Sequence, residues 1–419
     1  MADIGAANFG AVDYCVFVAM LGISLGIGFN HCVRGNKTTE DFLLASKSMS
    51  PVPIAFSLTA TLVSSVSILG MVFGMLIAIH VFIPVIYPLR LDSINEYLER
   101  RFRSHLVKNL VMFMTSVAIL INLGIGLYAP TLALESVTPI TSVTYVLVLG
   151  FIVTIYSSFG GMKAVVWTDV FQTIVIVLGV IVIVISTTVI AGGPVQVWRI
   201  GSEYHRTDAL DWRFGLFVRH TVFNTVLKDL IIVTAQYAFH QSTVQRLATL
   251  RNLQMARMVL YLNMIGVVFI LTLLILGGLC IFAVYAGCDP ITLGLISRKD
   301  QILPYFVIDY LGFLHGIPGL FVACLVCGTL STISSLLNSL TTMVWKDIMC
   351  EITFFKTASE NVRTITTKGM TFLFGMIMIA LALSASRIDG LIQAATTVMG
   401  IQGGPNYWHI LLGHLLALL

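Results

Sequence analysis

Charged residues are scarce in this chain of 419 residues. Asp, Glu, Lys and Arg make up 11% of it, hydrophobic residues make up 57%, and the mean hydropathy is +0.94. Average soluble domains carry about 25% charged residues, so this composition excludes an ordinary soluble domain and a disordered chain. The sequence predicts a polytopic membrane protein, with residues 1–419 forming one transmembrane domain and no separate soluble domain.

The chain also lacks the patterns of disulfide, redox and hydrolytic chemistry. Five of its seven cysteines lie in apolar segments, and the other two, Cys288 and Cys350, fall in loops on opposite predicted faces. Cys324 and Cys327 have the spacing of a redox motif, but they lie one helical turn apart in an apolar segment, and no disulfide framework is expected. The histidines are scattered. We expect neither enzyme activity, nor a cofactor, nor a nucleic-acid partner.

Long apolar stretches recur along the chain, and a helix needs roughly 20 residues to cross a bilayer. Seven stretches approach or exceed that length, at about 11–33, 107–134, 138–158, 164–190, 255–286, 318–345 and 364–385. Residues 220–241 and 390–417 are more polar but long enough to span. Residues 51–89 should form a hairpin or one broken crossing. We expect about eleven helices in the lipid bilayer.

Basic residues concentrate in alternate connections. Lys and Arg are enriched in cytoplasmic loops of membrane proteins. If the N-terminus lies outside the cell, the connections that contain Arg34, Arg100, Arg251 and Lys356 all fall on the cytoplasmic side. The loop at 192–218 brings arginines to the outer face, but acidic residues accompany them. The sequence therefore predicts an extracellular N-terminus.

One acidic residue, Asp169, stands at the head of an apolar stretch that continues to Ile190. An Asp in hydrocarbon costs roughly 2.5–3.5 kcal/mol on insertion scales, so it usually faces a cavity, an ion or a partner. Gln172 lies three residues later, on the same helical face. This placement indicates a chain that moves ions. The alternative is a structural pairing of Asp169 with a neighbouring hydroxyl group.

Four motifs occur in the order in which one transporter family carries them. They are the run Thr39–Ser50 before a helix, the run Gly160–Gln172, Val244-Gln245-Arg246 after a helix, and the run Gly328–Ser335. Together they resemble the sodium:solute symporter family, and the match covers almost the whole chain. The resemblance is closest to the branch with the multivitamin, monocarboxylate and iodide cotransporters, and within it to an invertebrate member.

The resemblance implies an all-α polytopic fold of the leucine-transporter type. Its core would consist of two inverted repeats of five helices, at 51–190 and 219–419, preceded by an extra N-terminal helix at 11–33. Such cores bind solute and ion near the membrane midplane, where broken helices expose backbone carbonyls. Most relatives continue further, so we expect a member that is shortened at its C-terminus.

The resemblance also implies a sodium site. Sodium is a small hard cation that needs a cage of oxygen atoms. Ser331 and Thr332 match the hydroxyl pair of the eighth core helix, with the carbonyl of Gly328 one turn earlier. The carbonyls of Ala60 and Val63 would complete the cage from the broken first core helix. Packing is the alternative role for the hydroxyl pair, because such side chains are common where membrane helices approach closely.

A second set of polar residues matches a second cation site or the coupling pathway of relatives. Asp169 and Gln172 belong to it, and Gln241 matches an amide near it. Arg246 follows at the predicted cytoplasmic end of a helix. Arginine in that position is most often a topology and lipid-headgroup anchor, so we expect that role, with direct solute binding as the alternative.

Two departures from the family pattern stand out. After Gly70, a piece about one helix long is absent relative to the family. Residues 51–89 give 39 positions, while two full crossings take roughly 40 before any turn. Either one helix is short or the hairpin is damaged.

The second departure is a charged pair, Lys228-Asp229, in the sixth core helix. We place both residues on the solute path with Ser67, since charges inside a membrane are functional by default. Neighbours on a helix point about 100° apart, so we expect the pair to neutralise itself poorly. Lys228 could attract an anionic solute, pair with an acid elsewhere, or mark a degraded path.

Two functions from different classes follow. The first is a plasma-membrane symporter that imports sodium with a small anionic solute, with monocarboxylates and carboxylated vitamins as the implied class. The second is a non-transporting relative or splice product that acts as a regulatory or interaction partner. The intact set of Ser331, Thr332, Asp169 and Gln241 favours the first, while the shortened hairpin and the Lys228-Asp229 pair favour the second.

Overall fold

A computed structural model describes residues 9–34, 38–62, 68–207, 212–213, 215, 218, 221–296 and 301–385. This part of the chain is helical, with turns and short 3-10 or π segments between helices and no strand. The helices are α1 Ala11–Arg34, α2 Thr39–Leu44, α3 Pro51–Leu62, α4 Ile68–Ile77, α5 Ile83–Ile86, α6 Ile94–Phe102, α7 His105–Val137, α8 Ser142–Ile190, α9 Pro194–Glu203, α10 Val222–Phe239, α11 Gln241–Ala248, α12 Leu253–Val284, α13 Ile302–Leu311, α14 Ile317–Asp347, α15 Thr353–Thr357 and α16 Glu360–Ala385.

Seven of the described helical runs are long and apolar enough to cross a membrane. They are Ala11–Val33, Ile68–Leu89, His105–Leu132, Ser142–Ile190, Leu253–Val284, Ile317–Glu351 and Glu360–Ala385. Helices must span because a bilayer offers no water to satisfy the backbone. The expected stretch at 390–417 lies outside the described residues.

The 49-residue helix α8 contains two crossings. At 1.5 Å per residue it would be about 74 Å long, more than twice the hydrocarbon thickness. Gly161 interrupts it with a φ of 63° and a ψ of −163°, a conformation that a residue with a side chain rarely adopts. The break agrees with the two stretches predicted at 138–158 and 164–190.

The described residues of the predicted hairpin at 51–89 form two helical runs. The first run, α3, packs against α8 and α12. The second run, Ile68–Leu89, has 22 residues and passes through a π-helical turn at Ala78–Phe82. Residues 63–67, between the two runs, lie outside the described residues.

Two glycines let α4 lie directly on α10. A Cβ at Gly70 would fall 2.7 Å from Asp229 Cβ, and one at Gly74 would fall 3.0 Å from Val233 Cβ. The Thr234 hydroxyl donates to the Gly74 carbonyl at 3.1 Å. Glycines four residues apart allow this close approach of membrane helices, so the Gly70–Gly74 segment forms a helix contact.

Most buried apolar residues that the structure describes fall into two large cores, beside two small clusters. One collects buried residues of α3, α4, α8, α10 and α12, including Leu58 and Val166. The other collects residues of α1, α7, α8, α14 and α16, including Cys327 and Leu330. The polar side chains described next lie where these cores meet.

Candidate ion and coupling site

The carboxylate of Asp169 is fully buried and receives hydrogen bonds from two helices. The Ser57 hydroxyl on α3 donates to Oδ2 at 2.5 Å, and the Ser331 hydroxyl on α14 donates to Oδ1 at 2.6 Å. Hydrogen bonds to an ionised acceptor are stronger than neutral ones. Asp169 therefore joins three helices through one side chain, and pairing with neighbouring hydroxyls, the alternative weighed from the sequence, is present.

Arg246 supplies the opposite charge. Its Nη2 lies 3.0 Å from Asp169 Oδ2, and only 1% of its side chain is exposed. Nε donates to the Ser57 hydroxyl at 2.8 Å, Nη1 donates to the Ser242 carbonyl at 3.2 Å, and Nη2 also donates to the Ser335 hydroxyl. The expectation of a lipid-headgroup anchor is wrong, because the short helix α11 points this arginine into the bundle, where a buried carboxylate needs a counter-charge.

Ser57 and Ser335 were not singled out from the sequence. Ser57 donates to Asp169 and accepts from Arg246, which uses the donor and an acceptor of its hydroxyl. Ser335 lies four residues after Ser331, on the same face of α14, and closes the opposite side of the arginine. The four-residue spacing of Ser331 and Ser335 is visible in the sequence, but the contact of Ser335 with Arg246 is not.

The described residues expected to bind sodium lie on α3 and α14, which pack together. Thr332 donates its hydroxyl to the Gly328 carbonyl at 3.0 Å, and both residues are half-buried. Ala60 is buried near the end of the described part of α3. Val63 lies outside the described residues. Hydroxyl and carbonyl oxygens of this kind are ligands that a hard cation prefers.

The Gln172 side chain is buried on the same face of α8 as Asp169. It lies near the Tyr156 hydroxyl, but neither its oxygen nor its nitrogen makes a hydrogen bond of good geometry with a described residue. A buried amide without partners is costly unless something else satisfies it.

Gln241 is not hydrogen-bonded to Asp169. Its amide nitrogen donates to the Asp92 carbonyl, and its amide oxygen accepts from the Ile94 backbone N–H, both at 2.9 Å. Gln241 therefore fixes the start of α11 to the segment before α6. It connects to the buried ion pair through α11 itself, five residues before Arg246.

Lys228 and Asp229 bind each other at 3.2 Å. The Asp229 side chain is buried, whereas 57% of the Lys228 side chain is exposed. The expectation of poor mutual neutralisation is wrong, because the long lysine side chain reaches back to its neighbour. Ser67, the other residue assigned to the solute path, lies outside the described residues.

A cavity of about 950 Å³ opens between α8, α12 and α14. Its wall is mostly apolar and includes Val180, Phe282, Phe321, Cys324 and Leu325. Cys324 and Leu325 precede Gly328 by about one helical turn on α14. The cavity therefore ends just short of the candidate sodium cage.

One cluster beyond the bundle has the ligand types of a metal site. Glu99, His105 and Glu351 lie close together, but Lys108 contacts Glu99 at 2.7 Å and also contacts Glu351. The hydrogen bond from Lys108 lowers the pKa of Glu99. Because an ammonium group already supplies the positive charge, this cluster ties α6 and α7 to the 3-10 turn Met349–Glu351 that follows α14.

Comparison with known proteins decides the family. The model of the sodium:solute symporter family matches residues 69–416. This chain belongs to the sodium:solute symporter family. Sodium is therefore the co-transported ion, and the symporter is a multi-pass membrane transporter rather than an enzyme.

Two mammalian relatives cover almost all of the symporter. Sodium-coupled monocarboxylate transporter 2 of Bos taurus is 35% identical over 418 residues, which is 95% of this chain and 67% of that protein. The sodium-dependent multivitamin transporter of Oryctolagus cuniculus is 37% identical over 424 residues, which is 96% of this chain and 66% of that protein. The chain thus spans about two thirds of the length of these relatives.

A solved structure has the same fold. It is the substrate-bound, outward-open state of a Na⁺-coupled sialic acid symporter, with a TM-score of 0.87 and 23% identity. The match covers 97% of this chain and 87% of that chain. The expected leucine-transporter-type fold is confirmed.

Proposed function

We propose that this symporter imports sodium together with a small carboxylate-bearing anion across the plasma membrane. The observation that carries the proposal is the buried group around Asp169, where hydroxyls of α3 and α14 bind one carboxylate. A sodium site between α3 and α14 would tie the same two helices together. The relatives named for monocarboxylates and for vitamins support the substrate class.

The sodium cage would consist of the carbonyls of Ala60, Val63 and Gly328 with the hydroxyls of Ser331 and Thr332. The Ser331–Asp169 hydrogen bond places negative charge beside this cage. Sodium that binds better in one conformation than in another shifts the equilibrium between them. In this mechanism sodium stabilises the outward-open state, solute binds beside the first core helix, and closure precedes inward release of both.

Asp169, Gln172 and Gln241 would form a second cation site or the coupling route. The unpaired amide of Gln172 can offer its oxygen to a cation near Asp169. Arg246 now neutralises Asp169, so a cation there requires the guanidinium to withdraw. Gln241 holds the base of α11 and would set how far Arg246 can move.

The solute would enter from the end of the bundle at which α12 reaches Val284. The proposed extracellular N-terminus places this end, with the 950 Å³ cavity, on the outside. Ser67, Lys228 and Asp229 are the residues that we assign to the solute path, where the ammonium group of Lys228 would attract an anion at a distance. The membrane potential adds about 2.3 kcal/mol per charge at 100 mV to the sodium gradient.

The test is uptake of labelled pyruvate, pantothenate, biotin and iodide by cells that express the chain. Uptake is compared in sodium and in choline, and surface expression is measured in parallel. We expect sodium-dependent uptake of a carboxylate. Uptake of iodide alone would contradict the carboxylate class.

A non-transporting partner is the second candidate, favoured by the 39-residue length of the stretch 51–89 and by the Lys228-Asp229 pair. In the same test, the chain could reach the cell surface, take up none of the four solutes and gain no thermal stability from sodium. That result would support this candidate and overturn the symporter proposal.

A further inference from the structure

The extra N-terminal helix α1 holds α14 at its outer end. Asp13 is 4% exposed, and its Oδ1 accepts hydrogen bonds from the backbone N–H groups of Gly316 at 3.0 Å and Gly319 at 2.9 Å. The first N–H groups of a helix have no partner within the helix, and a carboxylate there also complements the helix dipole. The N-cap residue of α14 is Gly316, which has no side chain to provide this cap. Asp13 provides it from another helix.

At the start of α14, the backbones of α1 and α14 are too close for the two helices to slide along each other. A Cβ at Gly319 would fall 2.5 Å from both the Cα and the carbonyl oxygen of Asp13. The second oxygen of the Asp13 carboxylate accepts from the Gly10 N–H at 2.8 Å, which fixes the side chain to its own helix. The backbones of α1 and α14 therefore meet in one register.

A second connection lies at the depth of the candidate sodium cage. The Tyr156 hydroxyl on α8 donates to the Leu330 carbonyl at 3.1 Å, and Leu330 immediately precedes Ser331. The Cβ of Tyr156 packs against Gly28 of α1, where an added Cβ would fall 2.6 Å from Tyr156 Cβ. On α14 the two connections are separated by the distance from Gly319 to Leu330, about 16 Å of helix.

We propose that α1 is a clamp that sets the position of α14 against α8, with Asp13 and Tyr156 as positioning residues for the sodium cage. This inference rests on the proposed role of Ser331 and Thr332. Neither positioning residue contacts sodium. They hold the stretch of α14 that carries the two hydroxyls at a fixed height beside Asp169.

The thiol of Cys324 can report the position of α14 against α8. Cys324 lies on α14 between the two connections, is half-buried, and donates its thiol to the Val175 carbonyl of α8 at 3.4 Å. A shift of α14 against α8 breaks that contact. The alkylation rate of Cys324 by a small maleimide, read from its own peptide by mass spectrometry, therefore measures the position of α14 without any transport.

The experiment uses the purified full chain in detergent as wild type, Asp13→Ala, Asp13→Asn and Tyr156→Phe. Tyr261→Phe is the matched control, because that hydroxyl bonds His80, away from α14. One readout is the sodium concentration that gives half of the thermal stabilisation relative to choline, and the other is Cys324 alkylation. We expect Asp13→Ala and Tyr156→Phe to raise that sodium concentration about five- to tenfold and to speed alkylation at least threefold. Asp13→Asn, which keeps an acceptor oxygen, should lie between wild type and Asp13→Ala.

Unchanged Cys324 alkylation in Asp13→Ala and Tyr156→Phe would overturn the clamp. Faster alkylation with an unchanged sodium response would overturn its role in positioning the cage. A wild-type chain that sodium does not stabilise would instead overturn the proposed sodium site, and the clamp on α14 would then be decided by alkylation alone.

Discussion

The guanidinium of Arg246 lies 3.0 Å from the carboxylate of Asp169, and both side chains are buried. The two residues are separated by 77 positions, on α11 and α8. Burying one of these charges without the other would carry a large desolvation cost, so each side chain accounts for the presence of the other. Ser57 and Ser335 then satisfy donors of the arginine that the carboxylate does not reach.

Replacement of Arg246 should unfold the symporter more easily. Arg246→Met leaves the Asp169 carboxylate buried without its counter-charge, and breaking such a pair costs about 3–5 kcal/mol. Thermal unfolding in detergent measures the loss, and the exposed Arg251→Met is the control. The double variant Asp169→Asn, Arg246→Met should regain part of the stability without regaining the sodium response. Equal unfolding temperatures for Arg246→Met and Arg251→Met would contradict the structural role of the pair.

Removal of either hydroxyl on α14 should weaken the sodium response. Ser331→Ala and Thr332→Ala each delete one oxygen of the proposed cage, and Ser331→Ala also removes a hydrogen bond to a charged group, worth about 1.5–3 kcal/mol. We expect the half-saturating sodium concentration for uptake to rise about tenfold, with the preference among solutes unchanged. Thr329→Ala is the control, because its hydroxyl bonds the Leu325 carbonyl of its own helix. If a variant responds to sodium as the control does, the replaced hydroxyl does not belong to the cage.

A methyl group in the α4–α10 contact should destabilise the bundle. Gly70→Ala places a Cβ 2.7 Å from Asp229 Cβ and 2.9 Å from the Val226 carbonyl oxygen, so the two helices must separate. Overpacking of this kind costs about 1–3 kcal/mol. Gly126→Ala serves as the control, because its Cβ would meet no heavy atom of the described residues within 4 Å beyond its own helical turn. The unfolding temperature of each purified variant gives the answer, and a Gly70→Ala chain as stable as the control would argue against the close packing.

Neutralising Lys228 should change the solute concentration for half-maximal uptake more than the sodium concentration for half-maximal uptake. Lys228→Gln removes an exposed positive charge and breaks the Lys228–Asp229 ion pair, so the local charge becomes less positive. An anion should then need about a threefold higher concentration for half-maximal uptake, since charge near a path changes the rate of encounter. Lys356→Gln, at an exposed position between α14 and α16, is the control. If solute affinity and its dependence on salt stay constant, Lys228 does not belong to the solute path.

The sequence by itself determined where the chain can cross a membrane. Runs such as 11–33 and 255–286 are apolar over the full hydrocarbon thickness, and only helices satisfy the backbone there. It also determined that Asp169 is exceptional, because one carboxylate in an apolar helix needs a partner whatever the fold. The order of the four motifs was enough to indicate the family.

Only the tertiary structure decided which partner each polar residue has. Hydropathy and spacing describe neighbours within a helix, whereas Arg246 reaches Asp169 from 77 positions away and Asp13 reaches Gly319 from 306. An arginine at a helix end can anchor lipid headgroups, or a short helix can turn it into the bundle. The sequence shows the same charge pattern in both cases. The packing of α11 against α3 and α14 makes that choice, because it removes water from the guanidinium and leaves a buried carboxylate as its counter-charge.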